Sequence, residues 1–396
     1  MPRGLYLHIP FCDKKCIYCD FYSIENTSMI DAFVNALLRE IDMRFNALPA
    51  DQRQVDTVFF GGGTPSLLRP EQIGLILNKV RDHLELTADV ELTMECNPGT
   101  VTVESLSGYR AHGVNRLSFG VQSFYEDDLR FLSRIHSRTE AFDALNTARA
   151  AGFNNVNLDL MFALPRQNRE RWQANMRHAL DLGPEHISAY SLIFEEGTPL
   201  NAMRLRGEVQ EADEDLDAEM YNDVMQIMAA GGYEQYEVSN FARDGLRCRH
   251  NLKYWNGEEY FAVGPSAHGY LNDTRYWNVR NLKRYLDMIG DDALPLANSE
   301  KLSRSDRMFE RAFLGLRSTG IVPADFQREF NIDVVAALGD YAKQLQDRGL
   351  ARFDEGNIRL TTAGYMVCDA ISAEVIARLE DAAGAEWTPV ASESRK

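Results

Sequence analysis

The sequence predicts an α/β fold, a partial (βα)6 parallel barrel followed by a C-terminal, mostly helical, winged-helix-like domain. Three observations lead there. Short apolar runs and helical-period stretches alternate six times over the first half of the chain. Each unusual polar or thiol motif follows a strand, as in barrels that collect their chemistry on one rim. Near residue 300 the pattern changes to closely spaced helices and a hairpin, and 396 residues exceed one ordinary domain.

The strands are read at Gly4–Ile9, Thr57–Phe60, Val90–Glu95, Arg116–Val121, Val156–Leu160 and His186–Ile193, each bounded by Gly, Pro or Asn. Near-continuous apolar strands belong to parallel sheets covered by helices. Helical periods at Met29–Phe45, Pro70–His83, Val103–Ala111, Glu140–Ala151 and Arg169–Leu180 supply crossovers of the length a parallel pair requires. Seven acids and no base between Glu208 and Glu219 read as the solvated opening of a helix reaching Ala230, where acids suit the N-terminal dipole. Strand character returns at Tyr233–Ala242. Helices are expected at Arg304–Leu316, Pro323–Phe330 and Val334–Arg348, then a hairpin at Leu350–Leu360 and a helix to about Leu379. The domain plan is a core barrel over 1–242, a linker or accessory segment over 243–299, the C-terminal domain over 300–380 and a mobile tail over 381–396.

Composition narrows the function. With 42 Lys and Arg against 59 Asp and Glu the net charge is −17, which repels phosphate backbones and disfavours nucleic acid as a partner. Residues 301–380 carry 11 basic and 12 acidic side chains without a basic cluster, so the winged-helix-like unit is expected to cap the barrel or dock a partner. No segment has the roughly 18 apolar residues of a spanning helix, and the N-terminus lacks a signal-peptide pattern, so a cytoplasmic protein is expected.

The rim motifs carry the chemistry. Three of the six cysteines, Cys12, Cys16 and Cys19, fall within eight residues after the first strand. Three soft thiolates on one tight loop suit a metal or an iron–sulfur cluster. A structural zinc site wants four ligands, usually as two close pairs, and Cys96, Cys248 and Cys368 stand alone. Three unrelated thiols at this spacing is the weak alternative. Gly61-Gly62-Gly63-Thr64-Pro65 after the second strand is no Walker loop, since no Gly-Lys-Ser/Thr follows. A strand-to-helix turn accounts for one or two glycines, and the third leans towards ligand contact. Glu95, Gln122 and Asp159 complete the rim.

The Cys-x3-Cys-x2-Cys loop with Tyr18 before its last cysteine, together with the Gly-Gly-Gly-Thr-Pro turn, resembles the radical S-adenosylmethionine (radical SAM) superfamily. Leu5-Tyr6-Leu7-His8-Ile9-Pro10-Phe11-Cys12, Gly120-Val121-Gln122-Ser123-Phe124 and Asn157-Leu158-Asp159-Leu160-Met161 resemble the oxygen-independent coproporphyrinogen III oxidase branch and its relatives, over Tyr6 to about Arg378. The resemblance implies a [4Fe–4S] cluster on Cys12, Cys16 and Cys19, with S-adenosylmethionine on its open iron. Gly62, Gly63 and Thr64 would cradle the methionine end, and Tyr6, Tyr18, Glu95, Gln122, Arg134 and Asp159 match positions that contact the same cofactor. No residue is assigned a catalytic role.

Three departures from the oxidase branch point to the HemW-type haem chaperones. Phe21 stands where the oxidases carry a further cysteine, Cys12 lies only eleven residues from the start, and His250-Asn251-Leu252-Lys253-Tyr254-Trp255 matches the His-Asn-x-x-Tyr-Trp signature. An imidazole can ligate haem iron and flat rings can stack on a porphyrin, so His250, Asn251, Tyr254 and Trp255 are haem candidates. A lone histidine is more often a structural hydrogen-bonder and an aromatic pair more often core, and Cys248 is a rival ligand. The implied function is a chaperone that binds haem and passes it to acceptors such as respiratory enzymes, with room for peripheral membrane association through partners and for a homodimer. The competing readings are radical decarboxylation of coproporphyrinogen III propionates and an iron–sulfur scaffold without a porphyrin role.

Overall fold

The computed structural model describes residues 1–354 and 356–384. The mobile tail expected over 381–396 therefore lies, from 385 onward, outside the described residues. The chain divides into two compact units, one of residues 1–253 with 258–300, the other of 254–257 with the residues from 301 on.

Six strands form the centre of the first unit: β1 (Arg3–Ile9), β2 (Gln54–Gly62), β3 (Glu85–Cys96), β4 (Arg116–Gln122), β5 (Val156–Phe162) and β6 (His186–Ser191). They lie in chain order and all five pairings are parallel, so their C-terminal ends open on one rim. The crossover helices Ile30–Phe45, Pro70–His83, Val103–Ala111, Arg138–Ala150 and Arg169–Leu182 start and stop within two residues of the expected bounds. The barrel is open. Parallel β9 (Tyr260–Val263) takes the free edge of β1, and antiparallel β8 (Asn240–Ala242) takes that of β6, with β7 (Glu234–Gln235) beyond it. The residues read from sequence as a linker or accessory segment also carry β10 (His268–Leu271), β11 (Thr274–Asn278) and β12 (Leu296–Lys301), which extend the same sheet.

The two faces of the six strands differ chemically. Leu5, Leu7, Val58, Phe60, Leu92, Met94, Leu117, Phe119, Leu158, Leu160 and Ile187 are all buried, which is the apolar signal legible in the sequence. The alternate positions are polar: Thr57, Glu91, Thr93, Glu95, Arg116, Ser118, Asn157, Asp159, His186 and Ser188. They bond to one another across strands. Asn157 Nδ2 donates to Ser118 Oγ (2.7 Å) and Ser188 Oγ (3.0 Å), and its Oδ1 pairs with His186 Nδ1 (2.6 Å). A polar inner face in place of the usual branched apolar layers prepares the barrel to hold a polar ligand.

Glu40, fully buried on helix Ile30–Phe45, fastens the added strands to this core. Its carboxylate accepts from Arg44 Nη2 (2.8 Å), Gly264 N (2.8 Å), Asn278 Nδ2 (2.8 Å) and Tyr285 OH (2.7 Å). The acid stretch at 208–219 is only partly helical: the helix runs Glu214–Ala230, capped by the Asp213 carboxylate on Asp215 N, while Glu208 and Glu211 pair with Arg206 and Arg204.

The second unit holds helices Arg304–Leu316, Pro323–Phe330, Val334–Leu338, Asp340–Asp347, Thr362–Tyr365 and Cys368–Ala383 around a hairpin of β13 (Ala351–Asp354) and β14 (Asn357–Leu360). The single helix expected over 334–348 breaks at Gly339, whose φ of 50° and ψ of −128° suit only glycine. Ile321 bridges Ile358 and adds a third pairing to the hairpin. Among the described residues no helix is long and apolar enough to cross a membrane.

Replacing Glu40 with Ala removes an acceptor shared by four donors and leaves the largely buried Arg44 guanidinium without its ion pair, so the chain should lose about 3–5 kcal/mol of stability. A shift of the urea unfolding midpoint measures it, and an unmoved midpoint contradicts the fastening role.

Candidate functional site

The rim is organised where the ends of β1 and β2 meet. Gly63 N donates to Ile9 O (2.8 Å) and Thr64 N to Phe11 O (2.6 Å), which carries the parallel ladder past the strands. Phe11 is buried edge-on against Phe33 and bridges Ile24, while Cys12 N donates to Ile24 O and Ile24 N to Pro10 O, closing the thiol loop at its base. A Cβ on Gly63 would sit 2.5 Å from Phe11 O, and one on Gly62, whose φ is 111°, would meet the His8 ring at 2.6 Å. The close approach of two chain segments by itself requires glycine at both positions, beside the ligand contact towards which the sequence leans.

Each thiol has its own surroundings. Thr64 Oγ1 donates to Cys12 Sγ (3.6 Å), Arg134 Nη1 donates to Cys16 Sγ (3.5 Å), and Cys19 lies near the main-chain amide of Phe21. Burial pushes the Cys12 thiol up and the Cys19 thiol up to about 11. All three are free cysteines. Among the described residues no three His, Cys, Asp or Glu side chains converge as the ligands of a single ion would. Ile17 and Tyr18 pack against Leu132, Met161, Leu164, Leu192 and Leu200, which anchors the far side of the loop.

Two carboxylates face the thiols across the rim. Glu95 Oε2 accepts from Gly62 N (3.1 Å), and its carboxyl is pushed up to about 8 by burial and by the charge of Asp159. Asp159 accepts from Ser118 Oγ (3.1 Å) and Asn157 Nδ2 (2.7 Å); burial raises it and these bonds hold it down. The Tyr6 hydroxyl pairs with His8 Nδ1 (3.1 Å), its acidity suppressed by burial and by Glu95. Gln122 ends β4 at a φ of 66°, beyond a register shift between Phe119 and Gln122. Such a bulge re-aims a strand end, and a non-glycine residue holds this conformation only where its surroundings force it. The sequence reading missed Tyr190 and Glu237. Tyr190 is 38% exposed at the end of β6, close to Asp159 and Glu237. Glu237 is buried with neither carboxylate oxygen paired, and burial pushes it up to about 7. The even spacing of His186, Ser188 and Tyr190 was the available signal for the first.

The haem candidates divide differently. His250 is 1% exposed: its Nδ1 pairs with Thr57 Oγ1 (2.8 Å), its ring stacks on Phe59 at 5.2 Å, and burial pushes it down to about 3. Its amide and that of Arg249 donate to Glu91, which sits at the N-terminus of helix Arg249–Trp255. Cys248 is buried too, donating to Glu91 Oε1 (3.6 Å), with its thiol pushed up to about 12 by burial. Asn251, Tyr254 and Trp255 are half-buried. The rim and the His250 helix are thus separate features of the chain, joined by the polar inner face through Asn157, His186 and Tyr236.

A model of the radical SAM superfamily matches residues 6–179 and one of the HemN C-terminal domain matches residues 302–367. The heme chaperone HemW of Bacillus subtilis (strain 168) is 37% identical over 369 residues, covering 92% of this chain and 97% of that protein. The chain belongs to the HemW family of the radical SAM superfamily. The HemW of Escherichia coli (strain K12) is 42% identical over 68% of this chain and 70% of its own. Among solved structures, the coproporphyrinogen III oxidase HemN from Escherichia coli superposes with a TM-score of 0.79 at 24% identity, covering 94% of this chain and 90% of that one, which shows a shared fold.

The cofactors of the HemW family's superfamily, a [4Fe–4S] cluster and S-adenosylmethionine, fit what stands on the rim. Three free thiols within one short loop suit the thiolate ligation of a polynuclear cluster, and the Arg134 Nε, buried with no partner, awaits an acceptor. Burial and the charge of Asp159 push Glu95 up to about 8, a pairing of acids that a cationic ligand would stabilise. When bound, the cluster and S-adenosylmethionine supply one-electron reductive chemistry. Cys12, Cys16 and Cys19 would hold the first, and Glu95, Asp159 and Arg134 would orient the second through its ammonium, ribose and carboxylate groups.

Glu95 must ionise to receive a cation, and free it does so only near pH 8. Its affinity-conferring form is present above that value and lost as pH falls, so below pH 8 the affinity for S-adenosylmethionine should rise by up to about tenfold for each unit that pH is raised, with a proton released on binding. Calorimetry in buffers of different ionisation enthalpy measures this, and binding that is pH-independent and proton-neutral contradicts it.

Proposed function

We propose that the chain binds haem in the cytoplasm and delivers it to haem-requiring acceptors such as respiratory enzymes, reaching membranes only through them, while carrying the cluster and S-adenosylmethionine in its barrel. The observation that carries this reading is the alignment with a protein named a heme chaperone along 97% of that protein's length, whereas the likeness to the oxidase is one of fold. Phe21 supports it locally, being 63% exposed where the oxidase branch carries a further cysteine.

Within the His-Asn-x-x-Tyr-Trp signature, haem contact is placed on the half-buried Tyr254 and Trp255, whose flat faces suit a porphyrin. His250 is engaged inside the unit by Thr57 and Phe59 and serves packing. A decarboxylase remains the second reading because the rim is equally suited to it.

Anaerobic titration of the reconstituted protein with haem should give a saturable Soret difference band near one equivalent. Trp255→Ala should weaken it about tenfold, the scale of one lost aromatic contact of about 1.4 kcal/mol. His250→Gln should chiefly lower the unfolding midpoint. No saturable band in the parent overturns haem binding, and loss of the band in a folded His250→Gln protein returns the ligand role to His250.

A further inference from the structure

The three ligand thiols are unequally treated, and the difference lies in charge. Cys12 receives a neutral hydroxyl from Thr64, and Cys19 lies near a neutral main-chain amide. Cys16 alone accepts a hydrogen bond from a cation: Arg134 Nη1 donates to its Sγ across 3.5 Å, whereas Lys15 acts on Cys19 only through its charge. A guanidinium stays charged at every accessible pH, and its bond to a thiolate is charge-assisted.

Arg134 is held in this pose from both ends. Its Nη2 donates to Gly120 O (2.6 Å) on β4, within the register shift between Phe119 and Gln122, and its main-chain amide donates to Leu129 O (2.9 Å). The Tyr18 ring lies beside it, against the buried cluster of Leu132, Met161, Leu164, Leu192 and Leu200. Its neighbours of acidic character are the Cys16 thiol and the Tyr18 phenol, so the positive charge is directed at the thiol loop rather than spent on a carboxylate.

Iron–sulfur potentials follow net charge, hydrogen bonds to sulfur and solvent exposure. We propose that Arg134 is a positioning residue that raises the reduction potential of the cluster through its charge-assisted hydrogen bond to Cys16 Sγ, with Thr64 making a smaller, neutral contribution at Cys12. This rests on the reading that Cys12, Cys16 and Cys19 hold a [4Fe–4S] cluster. One electron from an external reductant adds one negative charge to the thiolate-bound cluster, and the adjacent guanidinium stabilises that added charge without itself changing protonation. The role is distinct from contact with S-adenosylmethionine, because it operates before that cofactor binds.

The test is a potentiometric titration of full-length, anaerobically reconstituted protein without S-adenosylmethionine, using dithionite as reductant and following the EPR signal of the reduced cluster, with iron and sulfide counted per chain. Arg134→Met should hold about tenfold less reduced cluster at a fixed potential, equivalent to about 59 mV for one electron. Arg134→Lys should recover most of the shift, and Thr64→Val should move the potential in the same direction by less. Arg134→Gln, neutral but polar, gives the same comparison if the Met variant assembles no cluster. A purely structural role lowers cluster content and leaves the midpoint of the clusters that remain unchanged, and that result overturns the proposal. A parent protein that assembles no cluster instead overturns the reading on which the proposal stands.

Discussion

Where β1 and β2 end, the Gly63 amide donates to Ile9 O and the Thr64 amide to Phe11 O, and the site hangs on this continuation of the parallel ladder. It requires a chain segment without Cβ atoms, because Phe11 O stands 2.5 Å from where a Gly63 Cβ would lie. The same clasp orients both partners. It turns the thiol loop towards the rim and brings the Thr64 hydroxyl to Cys12, while the preceding Gly62 amide reaches Glu95. One backbone contact thus couples the sulfur ligands to the carboxylates that would receive the cationic cofactor.

Parallel pairing supplies the rest of the arrangement. Because β1 to β6 run the same way in chain order, their ends deliver Cys12, Gly62, Glu95, Gln122 and Asp159 to one rim without long-range loops. Below it the inner face is unusually polar, and its cross-strand bonds through Asn157 and His186 satisfy groups that would otherwise be costly to bury. Two groups of this face, the Thr93 hydroxyl and Arg116 Nε, are buried without a partner.

Much of the core was legible because its strands bury every second residue against helices, and apolar residues recurring at that spacing survive in the sequence as Leu-, Val- and Phe-rich runs. The helix bounds followed from the helical period, and caps such as Ser137 and Asn168, which accept from the third residue beyond, set where the helices begin. What escaped depended on partners distant along the chain. β10 to β12 are short or exposed and carry no strong period, and β9 joins the sheet by pairing with β1 some 250 residues away, a separation no local pattern reveals. His250 is a haem candidate for its imidazole and its place in the signature, whereas its hydrogen-bond partner in the fold, Thr57, lies 193 positions earlier, a contact no local pattern reveals. The glycine turn was recognised, and the fold adds a reason for it that no local pattern carries: Phe11 O and the His8 ring occupy the space its side chains would need.

Under the proposed function this barrel serves haem delivery rather than decarboxylation. The most direct measurement loads the reconstituted protein with one equivalent of haem, removes free haem, and mixes it with an apo-haem protein from a respiratory complex while recording the Soret region. The account predicts that the acceptor's spectrum grows as the donor's falls, in equal amounts and faster than from an unrelated haem-binding protein. Haem retained by the donor, together with loss of carboxyl groups from coproporphyrinogen under reducing conditions with S-adenosylmethionine, would contradict it.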